Sequence, residues 1–266
     1  DLYYGDMAGD PQPDWVDLNK AMIPQADEQQ RLLANLLLQM NLSKKPLPRF
    51  WYLPFGKKAA VIMTGDDHGN DGTAGRFDQY LALSPAGCNV DNWECIRATS
   101  YLYPNTPLSD AQAASYVAQG FEIGVHVNTN CQDWDAASLI ESYDNQLDTW
   151  SAQFPSLPSP VTHRLHCIVW SDWATQAAVE LAHGIRLDTN YYYWPPSWVQ
   201  NRPGFFNGSG MPMRFVDQAG ALLDIYQAAT QLTDESGQVF PYSIDTLLDR
   251  ALGPEGHYAV LTINAH

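Results

Sequence analysis

Val61-Ile62-Met63-Thr64-Gly65-Asp66-Asp67-His68-Gly69-Asn70 is a hydrophobic run that stops at two adjacent carboxylates. From Ala59 to Met63 the chain is uninterrupted and apolar, the pattern of a strand buried on both faces, and the Gly and Asp cluster marks where it leaves its sheet. In parallel α/β proteins the C-terminal ends of strands are where binding and catalytic groups collect. Two neighbouring carboxylates repel each other, so the pair calls for a cation, a shared proton or a basic partner. Taken alone, the simpler reading is a solvated strand-end loop.

Toward the C-terminus the same plan recurs. Ser109 offers an N-cap and Gly120 a stop to a helix over 110–119. The following strand, Phe121 to Val127, puts Phe121, Ile123, Val125 and Val127 on one face and Glu122, Gly124 and His126 on the other. Asn130 follows, ahead of a helix from Ala136 to Trp150 with apolar residues at a 3.6-residue period. After the Pro155 to Pro160 linker, Thr162 to Trp170 reads as a strand carrying Arg164 and His166. A helix from Asp172 to His183, capped by Ser171 and stopped at Gly184, leads to a short strand over 185–187 that delivers Asp188. A hairpin flanks Asp217 to Gly220, Ser243 caps another helix, and a final buried strand from Tyr258 to Ile263 reaches His266. Strand and helix alternation of this kind implies a parallel sheet, open or closed. The segment 69–107 reads as a long, turn-rich loop with a short periodic run near Phe77 to Leu83, a length that in compact domains is usually functional. Tyr191 to Trp198 is too rich in proline for a regular element; it reads either as a packed surface loop or as a wall of aromatic faces on which sugar rings lie.

On the N-terminal side, residues 1–58 read as a lead-in packed on a domain over 59–266. Leu32, Leu33, Leu36, Leu37 and Met40 lie at helical spacing between Gln25 and Met40. The first residues, Asp1 to Gly5, hold neither a basic region nor a signal-peptide core, as in either a cytosolic protein or a mature or excised fragment, and the absence of an initiator Met favours the fragment.

With 266 residues and 45% hydrophobic content the chain can fill a sizeable core. Its net charge of -16 disfavours nucleic acid and anionic membrane surfaces as partners, and no apolar run reaches the roughly 18 to 20 residues that span a bilayer. Cys88 and Cys95 sit in a polar segment suited to a disulfide-closed loop, and Cys131 and Cys167 form either a second bridge or two buried thiols. The four cysteines alone leave the compartment open; many aromatics, few lysines and the reading of the chain as an exported fragment favour a secreted, cell-surface or periplasmic home.

Five strand ends thus present Asp66 and Asp67, His126 with Asn130, Arg164 with His166, Asp188, and His266. If the strands are parallel and closed, these residues surround one mouth. Thr64-Gly65-Asp66-Asp67 resembles the first motif of the polysaccharide deacetylases, the carbohydrate esterase group that includes chitin and peptidoglycan deacetylases. His126 to Asn130 resembles that family's paired-histidine metal motif, Arg164-Leu165-His166-Cys167 its arginine motif, and Leu261 to His266 its closing strand. The resemblance runs from Ala59 to His266 in the family's order. It implies a distorted (β/α) barrel with fewer than eight complete units, here with an N-terminal helical lead-in and a β-hairpin insertion.

By the same resemblance, Asp66 is the general base, Asp67 and His126 ligate a divalent metal, zinc first, and Asn130 stands where the family has its second ligand histidine. An amide oxygen is a weaker, neutral donor, so Asn130 either binds zinc with water completing the shell or leaves a weak site. Arg164 pairs with Asp66 and lowers its pKa, Asp188 orients Arg164, and His266 is the general acid. A backbone N–H beside Cys167 completes an oxyanion site. Tyr192, Trp194, Trp198 and His166 are the candidate sugar contacts; His68 and His163 read as loop histidines. The implied activity is removal of acetyl groups from an N-acetylated amino-sugar polysaccharide. Two rivals remain: a catalytically silent carbohydrate-binding domain, and a metal-independent glycosidase using Asp66 or Asp67 with Asp188.

Overall fold

The computed structural model describes residues 23–44, 53–67, 72–190, 210–234 and 242–266. Among these, the chain is a mixed α/β protein of distorted (β/α)-barrel type. Its nine strands run β1 Ala59–Asp66, β2 Thr99–Leu102, β3 Glu122–Val125, β4 Thr162–His163, β5 Leu187–Asp188, β6 Met213–Val216, β7 Leu222–Gln227, β8 Thr230–Thr233 and β9 Ala259–Asn264. The helices are α1 Gln25–Met40, α2 Gly72–Leu83, α3 Asp110–Ala118, α4 Ala136–Gln153, α5 Thr175–Ala182 and α6 Tyr242–Leu252. The strands hydrogen-bond in the order β6-β7-β5-β4-β3-β2-β1-β9-β8. From β1 through β5 and on to β7 every pairing is parallel, and β6 closes that edge as an antiparallel hairpin with β7. The chain divides into two compact units. One comprises Ile62–Tyr191, Pro212–Ala228 and Ile263–His266 and holds all the described site candidates; the other holds the remaining described residues, including α1 and α6.

Local chemistry explains the helices well. Ser109 and Gln112 form a capping box at the start of α3, and Asp135 and Ser138 do the same for α4. Each box satisfies N–H groups that the first turn leaves open. Gly120 and Gly184, with φ of +92° and +84°, terminate α3 and α5 in the left-handed conformation that glycine adopts without a Cβ penalty. The helix reading from Asp172 starts three residues early. α5 begins at Thr175, where Asp172 accepts the Thr175 N–H, while the Ser171 hydroxyl receives the Trp134 N–H instead.

Three further expectations give way to the structure. The segment after Asp67 holds α2 and the strand β2, and the stretch between them is a loop closed by the Cys88–Cys95 disulfide. The apolar run of β1 is half-exposed, with Val61 45% accessible, and the buried part of the strand is Thr64, Gly65 and Asp66. The strand expected from Thr162 to Trp170 stops after two residues, because a 3-10 turn at His166–Ile168 turns the chain out of the sheet.

The pleat of the parallel sheet sorts the strand ends. Asp66, Tyr101 and Gly124 are register partners, as are Leu102 with Val125, Val125 with His163, and His163 with Asp188. Successive side chains point to opposite faces, so Tyr103, His126 and Arg164 return to the face of Asp66, while His163 and Asp188 share the face of Val125. The second face carries the core, where Leu102, Val125 and Leu165 pack with Phe77 of α2, Leu139 and Tyr143 of α4 and Ala177 of α5. Close packing also explains Gly65: a Cβ there would stand 2.3 Å from the Ala265 carbonyl oxygen and 2.8 Å from Cζ of buried Arg76.

Candidate active site

Asp66, 5% accessible, is the hub of the first face. Arg164 Nη1 donates to Asp66 Oδ1 at 3.4 Å and Nη2 to the Thr64 hydroxyl at 2.9 Å. Its guanidinium also lies 5.3 Å from the centre of the Tyr101 ring. His266 Nε2 is 3.3 Å from Asp66 Oδ2, the Asn264 amide donates to the same oxygen at 3.4 Å, and His126 Nε2 lies 3.9 Å from it. Burial pulls the Asp66 pKa upward, but the charges of His126 and Arg164 and the hydrogen bond from His266 outweigh it and hold the carboxyl well below its usual range. Burial pushes His126 down to about 4 against the pull of Asp66, so at neutral pH Arg164 is the permanent counter-charge.

His126 sits one residue beyond β3, fully buried, with its Nδ1 donating to the Arg164 carbonyl at 2.8 Å. A carbonyl only accepts, so the proton is on Nδ1 and Nε2 presents a lone pair toward the site. Nε2 is 3.3 Å from Nδ1 of His166, which is also 2.6 Å from the Tyr103 hydroxyl. Partial burial and the charges of Asp66 and Asp67 push the Tyr103 hydroxyl up to about 12, so it stays protonated. Asp67 is half-buried, and its Oδ1 accepts from Thr73 at 2.8 Å.

Asn130 follows four residues after His126. It is exposed, in a left-handed turn with φ of +58°, its N–H bonded to Asn128 and its carbonyl to Gln132. The Cys131–Cys167 disulfide ties this turn to the His166 turn. Tyr192, Trp194, Trp198 and His68 lie outside the described residues.

Asp188 joins a different cluster on the opposite face of the sheet. Its register partner is His163, so the pleat directs it under α5 and away from Arg164. There Glu180 Oε1 receives His163 Nδ1 at 2.7 Å, the Gln176 amide at 2.8 Å and the Tyr143 hydroxyl at 3.1 Å. Asn190 donates its backbone N–H to Asp188 at 3.0 Å and accepts the Leu165 N–H at 2.6 Å. His163, Glu180 and Asp188 are wholly buried. Burial pushes His163 down to about 3 and Glu180 up to about 7, and burial with the adjacent Glu180 charge raises Asp188 well above its ordinary value. Two buried carboxyls side by side keep a proton between them.

Tyr103 and Glu180 are the residues that sequence reading passed over. Tyr103 follows β2, which the turn-rich composition concealed. Glu180 had a visible signal: with Gln176 it makes an i, i+4 polar pair on a short, otherwise mostly apolar helix.

No family model matches the sequence, and no curated protein does. Solved structures do resemble it. A Bordetella bronchiseptica protein described as a polysaccharide deacetylase involved in O-antigen biosynthesis is 18% identical, with a TM-score of 0.47 over 80% of this chain and 74% of that one. Puue allantoinase is 12% identical, with a TM-score of 0.46 over 82% and 80%. A family 4 acetyl xylan esterase from Clostridium thermocellum, solved with a cobalt ion, is 14% identical, with a TM-score of 0.35 over 76% and 87%.

Proposed function

We propose that the protein is a metal-dependent hydrolase that removes acetyl groups from an N-acetylated amino-sugar polysaccharide. The observation that carries the reading is the Asp66 cluster: a buried, ionised carboxylate at a parallel-strand end, paired with Arg164 and touching His266. A lone buried carboxylate would take up a proton; this one is held charged by a partner that cannot lose its own. In amide hydrolysis the C–O bond to water forms, the C–N bond breaks, and one proton must leave the water while another reaches the amine. Asp66 is poised to accept the first and His266, 3.3 Å away, to supply the second.

A carboxylate with so low a pKa is a weak base, so the water it serves needs acidifying. A bound divalent ion, zinc first, would supply that and polarise the acetyl carbonyl. His126 and Asp67 would be its donors: His126 is neutral, its Nδ1 fixed by a carbonyl, and Asp67 is oriented by Thr73, the outer support that metal ligands commonly have. Two disulfides, with no free cysteine among the described residues, support work in an oxidising compartment, and no described helix is long and apolar enough to cross a membrane.

Acetate release from a panel of acetylated oligosaccharides, with and without prior chelation, tests the proposal. Release that chelation and Asp66→Asn both abolish is expected. Glycan binding without acetate release would favour a binding module, and metal-independent release of reducing ends a glycosidase.

A further inference from the structure

One peptide unit links the two faces of the parallel sheet. The Arg164 carbonyl and the Leu165 N–H belong to the same rigid peptide plane. The carbonyl accepts His126 Nδ1–H at 2.8 Å, and the N–H donates to the Asn190 side-chain oxygen at 2.6 Å. Asn190 is 3% accessible, and Asp188 holds it in turn, accepting its backbone N–H through Oδ1 at 3.0 Å and its side-chain Nδ2 through Oδ2. A backbone N–H only donates and an ionised carboxylate only accepts, so the Asn190 amide can stand only one way round. The flanking backbone is pinned as well: the His163 carbonyl accepts the Thr189 N–H at 3.0 Å, and the His166 N–H donates to the Val127 carbonyl at 2.8 Å. A row of hydrogen bonds thus runs from the buried carboxyls under α5, through Asn190 and the 164–165 peptide, to the imidazole beside Asp66.

We infer that Asn190 is a positioning residue: it fixes the 164–165 peptide and, through that peptide, the ring and the tautomer of His126, so that Nε2 keeps its lone pair toward the site. Hydrogen bonds in such a row polarise one another, and an imidazole that donates one ring N–H to a carbonyl becomes more basic at its other nitrogen. Asp188 therefore serves the site at one remove, by orienting Asn190. The inference rests on the deacetylase reading for what His126 does there; the hydrogen bonds are measured without turnover.

Ring-nitrogen NMR and amide hydrogen exchange on the full chain test the link. In the wild type His126 should carry its proton on Nδ1 and the Leu165 amide should exchange slowly; a proton on Nε2, or a Leu165 amide that exchanges like an exposed one, overturns the inference without any variant. Asn190→Leu removes the acceptor at similar volume. In it the His126 Nδ1 proton and the Leu165 amide should exchange at least ~10-fold faster, and acetate release should fall ~10- to 100-fold. Exchanging the two side chains, Asp188→Asn with Asn190→Asp, restores an acceptor for Leu165 and a donor for that acceptor's carboxylate. This swap should return exchange and acetate release to within ~3-fold of wild type. Circular dichroism verifies that each variant is folded. Wild-type exchange at His126 in folded Asn190→Leu, or a folded swap that behaves as Asn190→Leu does, overturns the inference. Faster His126 exchange with undiminished acetate release overturns the positioning role. Faster His126 exchange in Asn190→Leu, with no acetate release by the wild type from any substrate, upholds the link from Asn190 to His126 and removes the deacetylase reading.

Discussion

Replacing Glu180 by Gln tests whether the buried cluster under α5 stores a proton. In the folded protein burial raises Glu180 from an ordinary 4.5 to about 7; in the unfolded chain it titrates near its ordinary value. A carboxyl with a raised folded pKa contributes stability that is fully present below the unfolded value and lost as pH climbs through the folded one. The gap between 4.5 and about 7 converts, at ~1.4 kcal/mol per pH unit, to roughly 3 kcal/mol. The groups facing Glu180 are His163, Tyr143, Gln176, Asn190 and Asp188. His163 is pushed down to about 3 and Tyr143 well above its usual value, so neither changes charge in this window. A Gln at 180 still accepts from His163 and can donate its amide to Asp188. Urea unfolding of wild type and Glu180→Gln at pH 4.5 and pH 8 measures the effect. His126 and His163, neutral when folded, add an opposing slope as the unfolded chain titrates near 6.5, and it is common to both proteins. The wild type should therefore lose roughly 3 kcal/mol more than the variant between the two pH values. Equal losses would refute the stored proton.

Arg164→Met leaves the buried Asp66 carboxylate without its permanent counter-charge; unfolding at pH 7 should show a loss of roughly 3 to 5 kcal/mol, shrinking at pH 4 as Asp66 takes up a proton. Gly65→Ala places a methyl 2.3 Å from the Ala265 carbonyl oxygen and should cost ~1 to 3 kcal/mol in denaturant unfolding, with an unchanged midpoint counting against the packing described. The Cys131–Cys167 bridge closes a loop with a sequence separation of 36, so the paired Cys131→Ser and Cys167→Ser protein should lose ~3 to 4 kcal/mol by the same assay.

What could be read in advance was local, and what could not depended on register. Ser109, Gln112 and Gly120 announce α3 because capping acts within a few residues. Asp66, His126, Arg164 and His266 were legible as a set because each ends or follows a strand whose sequence shows where it stops. β2 was not legible: Thr99, Ser100, Tyr101 and Leu102 are all buried, which erases the alternation that betrays a half-exposed strand, and its flanks are rich in turn residues. Once β2 was lost, Tyr103, which bears the same relation to its strand as His126 does to β3, was lost with it. Asp188 shows the same limit from the other side. It ends a strand as expected, yet its partner across the ladder is His163 and not Arg164, and one residue of offset in a period of two moves a side chain to the opposite face. That offset divides the acids by chemistry as well as by place. Asp66 lies on the face of Arg164 and is held ionised, whereas Asp188, on the face of the helices with no arginine or lysine bonded to it among the described residues, is compatible with burial as one member of a pair that holds a proton.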